Sequence, residues 1–313
     1  MGNITDKLIK AIHEKQNPTV LGLDTQISHL PEEFASKIDY ADKANITKSI
    51  CDAIFEYNKL LVNTLCDIIP SVKIQIAYYE LLGADGIKLF KKTIDLSKQA
   101  GMIVMADAKR NDIGSTAGAY SSAFIGESDL GNGVSKAMFN ADIVTVNPYL
   151  GTDGIKPFLD DCEKYSKGIF ALVKTSNPSS GEFQNLKCED GKYLYAHVAD
   201  KVSQWGENQI GEYGYSSVGA VVGATYPEEG GILRKAMPHT FFLIPGYGAQ
   251  GGTAKSLLPC FDKNGSGGIV NASRSILTAH KNSNLSTVDA VREEAVRMQN
   301  DLLSALGGKI TLP

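Results

Sequence analysis

The chain has 313 residues, 43% of them hydrophobic and 21% charged, which is enough apolar material for a full globular core. Its formal net charge is -4, from 31 lysines and arginines against 35 aspartates and glutamates, and no long basic run occurs. Nucleic acid is therefore a poor partner, whereas a small anionic ligand needs only a few placed cations. The cysteines (Cys51, Cys66, Cys162, Cys188 and Cys260) form no CxxC pair, and the histidines (His13, His29, His197, His239 and His280) form no HExxH. Reduced thiols and no metal centre are the expectation.

The opening stretch, MGNITDKLIKAIHEKQNP, lacks the apolar core of a signal peptide, and no segment is long enough to cross a bilayer. A cytoplasmic protein with no membrane contact is expected. The first strand-like run is Thr19-Val20-Leu21-Gly22-Leu23-Asp24. A helix follows, with Ile46, Ile50, Ala53, Ile54, Tyr57, Leu61, Leu65 and Ile68 on one face. Val72-Lys73-Ile74-Gln75-Ile76-Ala77 reads as a second strand. A helix through Leu89 to Lys98 leads to a third run at 102–107, and 113–124 reads as helix. Further strands are predicted at 142–146, 168–173, 217–222, 240–244 and 268–271. The last helix carries Val288, Val291, Ala295, Met298, Leu302 and Leu306 on one face.

Eight strand-then-helix units predict an α/β fold, a closed (β/α)8 TIM barrel, as a single domain over 1–313. An open doubly wound sheet is the competing arrangement, weakened by the absence of an early GxGxxG after the first strand. The polar, turn-rich segment TSNPSSGEFQNLKCEDG is long for a barrel connection. It reads as a lid-like loop around 175–191, or else as a plain surface insertion.

Side chains alternate across a strand, so Val72, Ile74 and Ile76 share one face while Lys73 and Gln75 share the other. In a barrel the apolar set suits the outer helices, which turns Lys73 inward. A buried lysine is costly without a negative partner. Asp107 and Lys109 are two apart at the end of the third strand, and Asp112 follows. Barrel active sites lie at the C-terminal strand ends, and Asp24, Asp107 and Asn147 stand at three of them. DxKxxD alone is a weak pattern that usually marks a solvated salt-bridge face. Its place after MIVMA, with Lys73 as a second cation, makes a charge-balanced Lys–Asp–Lys–Asp network.

Two late segments fit an anion grip. PGYGAQGG follows the seventh strand, and its glycines allow backbone N–H groups to approach a ligand. NASRS follows the eighth, where a helix N-terminus and the fork of Arg274 both favour phosphate. The plain alternative is two glycine turns and an exposed arginine. Both segments stand at the strands where barrels often hold phosphate.

Together these residues resemble the orotidine 5′-phosphate decarboxylase family. The resemblance rests on LGLDT at 21–25, VKIQ at 72–75, DAKRNDIGST at 107–116, VNPYLG at 146–151, PGYGAQGG at 245–252 and NASRSI at 271–276. It implies conversion of orotidine 5′-phosphate to UMP and CO2 with no metal or organic cofactor. By position it makes Lys73, Asp107, Lys109 and Asp112 the catalytic tetrad, with Asp112 donated across a homodimer interface. It makes Asp24 the ribose contact, Thr116 a ligand contact beside the shared aspartate, Ser176 the pyrimidine contact, and Gln250 with Arg274 the phosphate grip. The chain departs from shorter members in its longer lid after Thr175 and its longer connection after Leu23, which bears most on Ser176. DxKxxD is shared with metal-dependent sugar-phosphate decarboxylases and aldolases of the same superfamily, the rival reading, although VKIQ with Lys73 argues against them. A phosphate-binding barrel without catalysis would not need so costly a cluster.

Overall fold

The structure, a computed structural model, describes residues 2–223, 227–248 and 252–313. Eight parallel strands close a barrel: β1 (Thr19–Leu23), β2 (Ser71–Gln75), β3 (Ile103–Arg110), β4 (Ile143–Val146), β5 (Gly168–Lys174), β6 (Val218–Val222), β7 (Phe242–Ile244) and β8 (Gly268–Ala272). Each strand pairs with its neighbour in sequence, and β1 pairs with both β2 and β8, so no edge is left open. The closed ring excludes the open sheet. The eight predicted strands are all present. The third runs on to Arg110, and the second stops at Gln75 because Ile76 already adopts helical dihedrals.

The long helices are α1 (Ile4–Lys15), α2 (Ile46–Leu65), α3 (Gly83–Gln99), α4 (Gly114–Phe124), α5 (Thr152–Tyr165), α6 (Leu194–Gly206), α7 (Pro227–Ala236) and α8 (Thr287–Ala305). Alternation along the strands divides the core in two. Leu21, Leu23, Val72, Ile74, Val104, Val144 and Val270 face the helices in one buried cluster. Val20, Met105, Ile143, Phe170, Leu243 and Ile269 fill the barrel with Ile4, Leu8, Ile9 and Ile12 of α1.

The role of α1 was not anticipated from sequence. Asn3 caps it by accepting from the Thr5 N–H at 2.8 Å, and its side chain donates to the carbonyl of Gln209. Its apolar face closes the end of the barrel where the strands begin, and a Cβ on Gly168 would meet Ile4 at 2.8 Å. Polar chemistry is left to the other end. On α8, Val288 is 42% exposed, so the predicted apolar face begins one turn later, at Val291. Among the described residues no helix is long and apolar enough to cross a membrane.

Candidate active site

At the C-terminal end of the barrel, Asp107 is the hub. Lys73 Nζ and Gln75 Nε2 each donate to its Oδ2 at 3.0 Å. Lys109 Nζ at 2.5 Å and Thr145 Oγ1 at 2.9 Å donate to Oδ1. Lys73 also reaches Asp24 Oδ1 at 3.3 Å. Lys73 and Asp107 are only 5% and 6% exposed, so these are buried charges satisfied by one another. Burial works against the ionised form of both. For Asp107 the charges of Lys73 and Lys109 outweigh it and hold the carboxyl below the usual carboxylate range. For Lys73 the charges of Asp107 and Asp24 outweigh it and hold the ammonium above the ordinary lysine value.

The path of the chain at Lys109 is unusual. Its φ is +47, the left-handed region that non-glycine residues rarely enter, and the pairing of β3 with β4 slips between Ala106 and Arg110. Thr145, inward on β4, holds this bulge. Its Oγ1 accepts the N–H groups of Ala108 and Lys109 at 3.0 and 2.9 Å while donating to Asp107. Lys109 and Asp107 therefore meet as expected, but through a bulge rather than through simple strand alternation. Strain of this kind costs on the order of 1–3 kcal/mol and persists where the surroundings enforce it.

Two cavities open above the hub. One, of about 450 Å³, is lined by Lys73, Asp107, Lys109, Thr145, Ser176 and Asn271, with Leu172, Val221 and Leu243 as an apolar wall. The other, of about 260 Å³ and mostly polar, is lined by Asp24, His29, Tyr78, Tyr247, Asn271 and Arg274. Asn271 borders both, so the charged network and Arg274 stand at the two ends of a continuous lining. Gly22 makes room for this junction. A Cβ there would fall 1.8 Å from Ser273 Oγ and 3.0 Å from Asn271 Oδ1.

The loop after β5 folds over the first cavity. It forms a turn at Pro178–Ser180 and a short helix at Gly181–Gln184. Gln184 ties it down by accepting from the Thr175 N–H at 3.0 Å and donating to Thr175 Oγ1 at 2.7 Å. Lys174 Nζ donates to Asn185 Oδ1 at 2.7 Å. Arg274 begins a single helical turn, Arg274–Leu277, and its guanidinium is exposed with no ion pair among the described residues. Gln250 lies outside the described residues. The Gly248 N–H donates to the Gly252 carbonyl at 2.8 Å.

Lys73, Asp107, Lys109, Asp24, Ser176 and Arg274 thus gather around the paired cavities. Asp112 and Thr116 do not. Asp112 accepts from the Ile113 N–H at 2.8 Å and pairs with neither Lys73 nor Lys109 of its own chain, and Thr116 is exposed on α4. Thr145 and His29 stand in none of the sequence motifs, and Asn271 opens NASRS without being singled out there. Thr145 and Asn271 follow from strand alternation once inward faces are known. His29 lies in a connecting turn with no periodic signal.

The family model described as orotidine 5′-phosphate decarboxylase / HUMPS family matches residues 38–286. The chain belongs to this family. The orotidine 5′-phosphate decarboxylase of Caldicellulosiruptor bescii is 44% identical over 282 residues, covering 90% of this chain and 92% of that one. The orotidine 5′-phosphate decarboxylase of Clostridium perfringens strain SM101 is 40% identical over 305 residues, 97% of this chain and 99% of its own. The solved OMP decarboxylase of Leishmania donovani superposes with a TM-score of 0.70 at 29% identity, covering 96% of this chain and 99% of that one. The orotidine 5′-phosphate decarboxylase match therefore takes in the whole barrel, from the site residues on β2 and β3 to Arg274 after β8.

Proposed function

We propose that the chain is a carboxy-lyase that converts orotidine 5′-phosphate to UMP and CO2 in pyrimidine biosynthesis. The observation that carries this reading is the Lys73–Asp107–Lys109 network, with Lys73 and Asp107 buried, set in one cavity and continuous through Asn271 with a second that holds Arg274. A nucleotide spans such a site with its base over Lys109, its ribose near Asp24 and its phosphate at Arg274. Ser176 faces the base, and residues 175–191 act as the lid of a single domain.

The bond from C6 to the carboxylate breaks, its electron pair stays on C6 and CO2 departs. Lys109 stabilises the carbanion by its charge and delivers the proton that forms the C6–H bond. Asp107 stands where the leaving carboxylate lies, and Lys73 fixes both. The carboxylates of the hub are committed to lysines, and the described residues bring no three metal-ligating side chains together. We therefore take the reaction as cofactor-independent, against the metal-dependent sugar-phosphate reading. Five unpaired cysteines suit a cytoplasmic setting.

The phosphate lies far from the bond that breaks, so its binding energy is available to hold the closed lid. Arg274→Ala is expected to lower kcat/KM for orotidine 5′-phosphate by roughly 100-fold or more, the scale of a lost charge-assisted contact or a larger one. The fall in pyrimidine absorbance measures it. Unchanged kcat/KM would contradict the phosphate assignment, and no turnover by the wild-type chain would contradict the function.

The active unit is proposed to be a homodimer in which Asp112 completes the partner's site. Asp112 lies outside its own chain's cavities, among loops bound together by Arg110 to Glu80 and by Asn111 to the Asn147 carbonyl. Those loops expose the large apolar side chains Leu81, Ile113, Tyr149 and Leu150, as a subunit interface would require. Asp112→Ala and Lys109→Ala chains are each expected to be nearly inactive. Mixed and allowed to exchange subunits, they should recover about a quarter of wild-type activity, since half the dimers then hold one intact site. No recovery in mixtures shown to contain heterodimers would refute sharing.

A further inference from the structure

We propose that His29 is a ligand contact at the phosphate end, donating a hydrogen bond from Nε2 to a phosphate oxygen while its ring is neutral. The inference rests on the function proposed above and adds to it a residue that none of the sequence motifs contains.

His29 closes a short turn, Ile27–His29, in the connection after β1. The turn is held by its own cap. The Gln26 N–H donates to His29 Nδ1 at 3.3 Å, and the His29 N–H donates back to the Gln26 carbonyl at 2.9 Å. With Nδ1 an acceptor, the proton of the neutral imidazole sits on Nε2. Nε2 has no side-chain hydrogen-bond partner among the described residues, and the ring lines the same polar cavity as Arg274.

The surroundings favour the neutral ring. Burial lowers its pKa, and Lys281 and Arg274 lower it further, against the charge of Asp24 and a hydrogen bond to the Asp24 backbone, which act the other way. Lys281 is fixed nearby by its bond to the Ser28 carbonyl, and His280 is close enough for the two imidazoles to disfavour each other's charge. A charged ring would also surrender the Gln26 bond, because protonated Nδ1 cannot accept. Two cations beside a neutral donor suit a phosphate dianion. The dianion takes charge from Arg274 and direction from His29, with no proton to take up at neutral pH.

The test compares UMP and uridine on the intact protein. For His29→Ala, the dissociation constant of UMP should rise roughly 10-fold while that of uridine stays within about twofold, the loss expected for one hydrogen bond to a charged group. His29→Gln, which keeps a side-chain N–H donor, should recover part of the difference. Nitrogen-15 spectra of the wild type should show a neutral ring protonated at Nε2 at pH 7. A UMP-to-uridine ratio unchanged in His29→Ala, or a ring protonated at Nδ1, would overturn the proposal. Arg274→Ala separates the two levels. If it lowers UMP affinity and His29→Ala does not, only the role of His29 fails. If wild-type protein shows no preference for UMP over uridine, the phosphate site itself fails.

Discussion

Lys109→Ala is expected to lower kcat on orotidine 5′-phosphate by on the order of 10⁴-fold, with the barrel intact. In the mechanism proposed above, the side chain is both the charge nearest the carbanion and its proton source. Removing a positioned proton donor costs about 10²–10⁴-fold, and removing a fixed stabilising charge costs about 10²–10³-fold. The fold should survive for local reasons. The Lys109 side chain is 45% exposed, and Asp107 keeps Lys73, Gln75 and Thr145 when it is gone. The N–H of residue 109 still reaches Thr145 Oγ1, so the bulge is retained. Circular dichroism and thermal unfolding check the fold, and the absorbance assay checks turnover. Turnover within tenfold of wild type would remove Lys109 from the chemistry.

Asp107→Ala should damage both activity and stability. The carboxylate is the acceptor shared by two lysines, one of them fully inside the barrel. Its loss leaves Lys73 with Asp24 alone, at 3.3 Å, and breaking a buried pair this way costs about 3–5 kcal/mol. The pH dependence has a definite sign. The folded pKa of Asp107 is depressed, so its stabilisation is present above the unfolded value of about 4 and is lost as pH falls through the folded value. The folded pKa of Lys73 is raised, so its share is present below about 10.4 and is lost as pH rises through the folded value. Urea unfolding should therefore separate wild type from Asp107→Ala most widely between about pH 4 and 10. The gap should narrow in acid. Equal stability at pH 7 would mean that the network contributes no net stability.

The barrel was legible because its signals are local. Each strand run is short and apolar, and each is followed by a helix or a turn. The inward turn of Lys73 followed from strand alternation, since Val72 and Ile74 pack outward in the same cluster as the helices. Other features depend on contacts far apart in sequence. The left-handed backbone at Lys109 is held by Thr145, 36 residues away, and a lysine gives no local hint of positive φ. The plug formed by α1 depends on the barrel mouth that it closes. His29 sits in a turn whose cap is local but whose neighbours, Arg274 and Lys281, arrive from the other end of the chain. Asp112 lies outside the cavities of its own chain, and the partner role proposed for it is what the subunit-mixing experiment tests.

The central claim is that the Lys73–Asp107–Lys109 network performs the decarboxylation without a metal. The most direct measurement is conversion of orotidine 5′-phosphate to UMP by protein dialysed against EDTA and assayed with EDTA present, wild type beside Lys109→Ala. Wild-type turnover should be undiminished, with one CO2 released per UMP formed, and Lys109→Ala should show almost none. Wild-type activity that disappears with the chelator and returns with a divalent cation would contradict the claim.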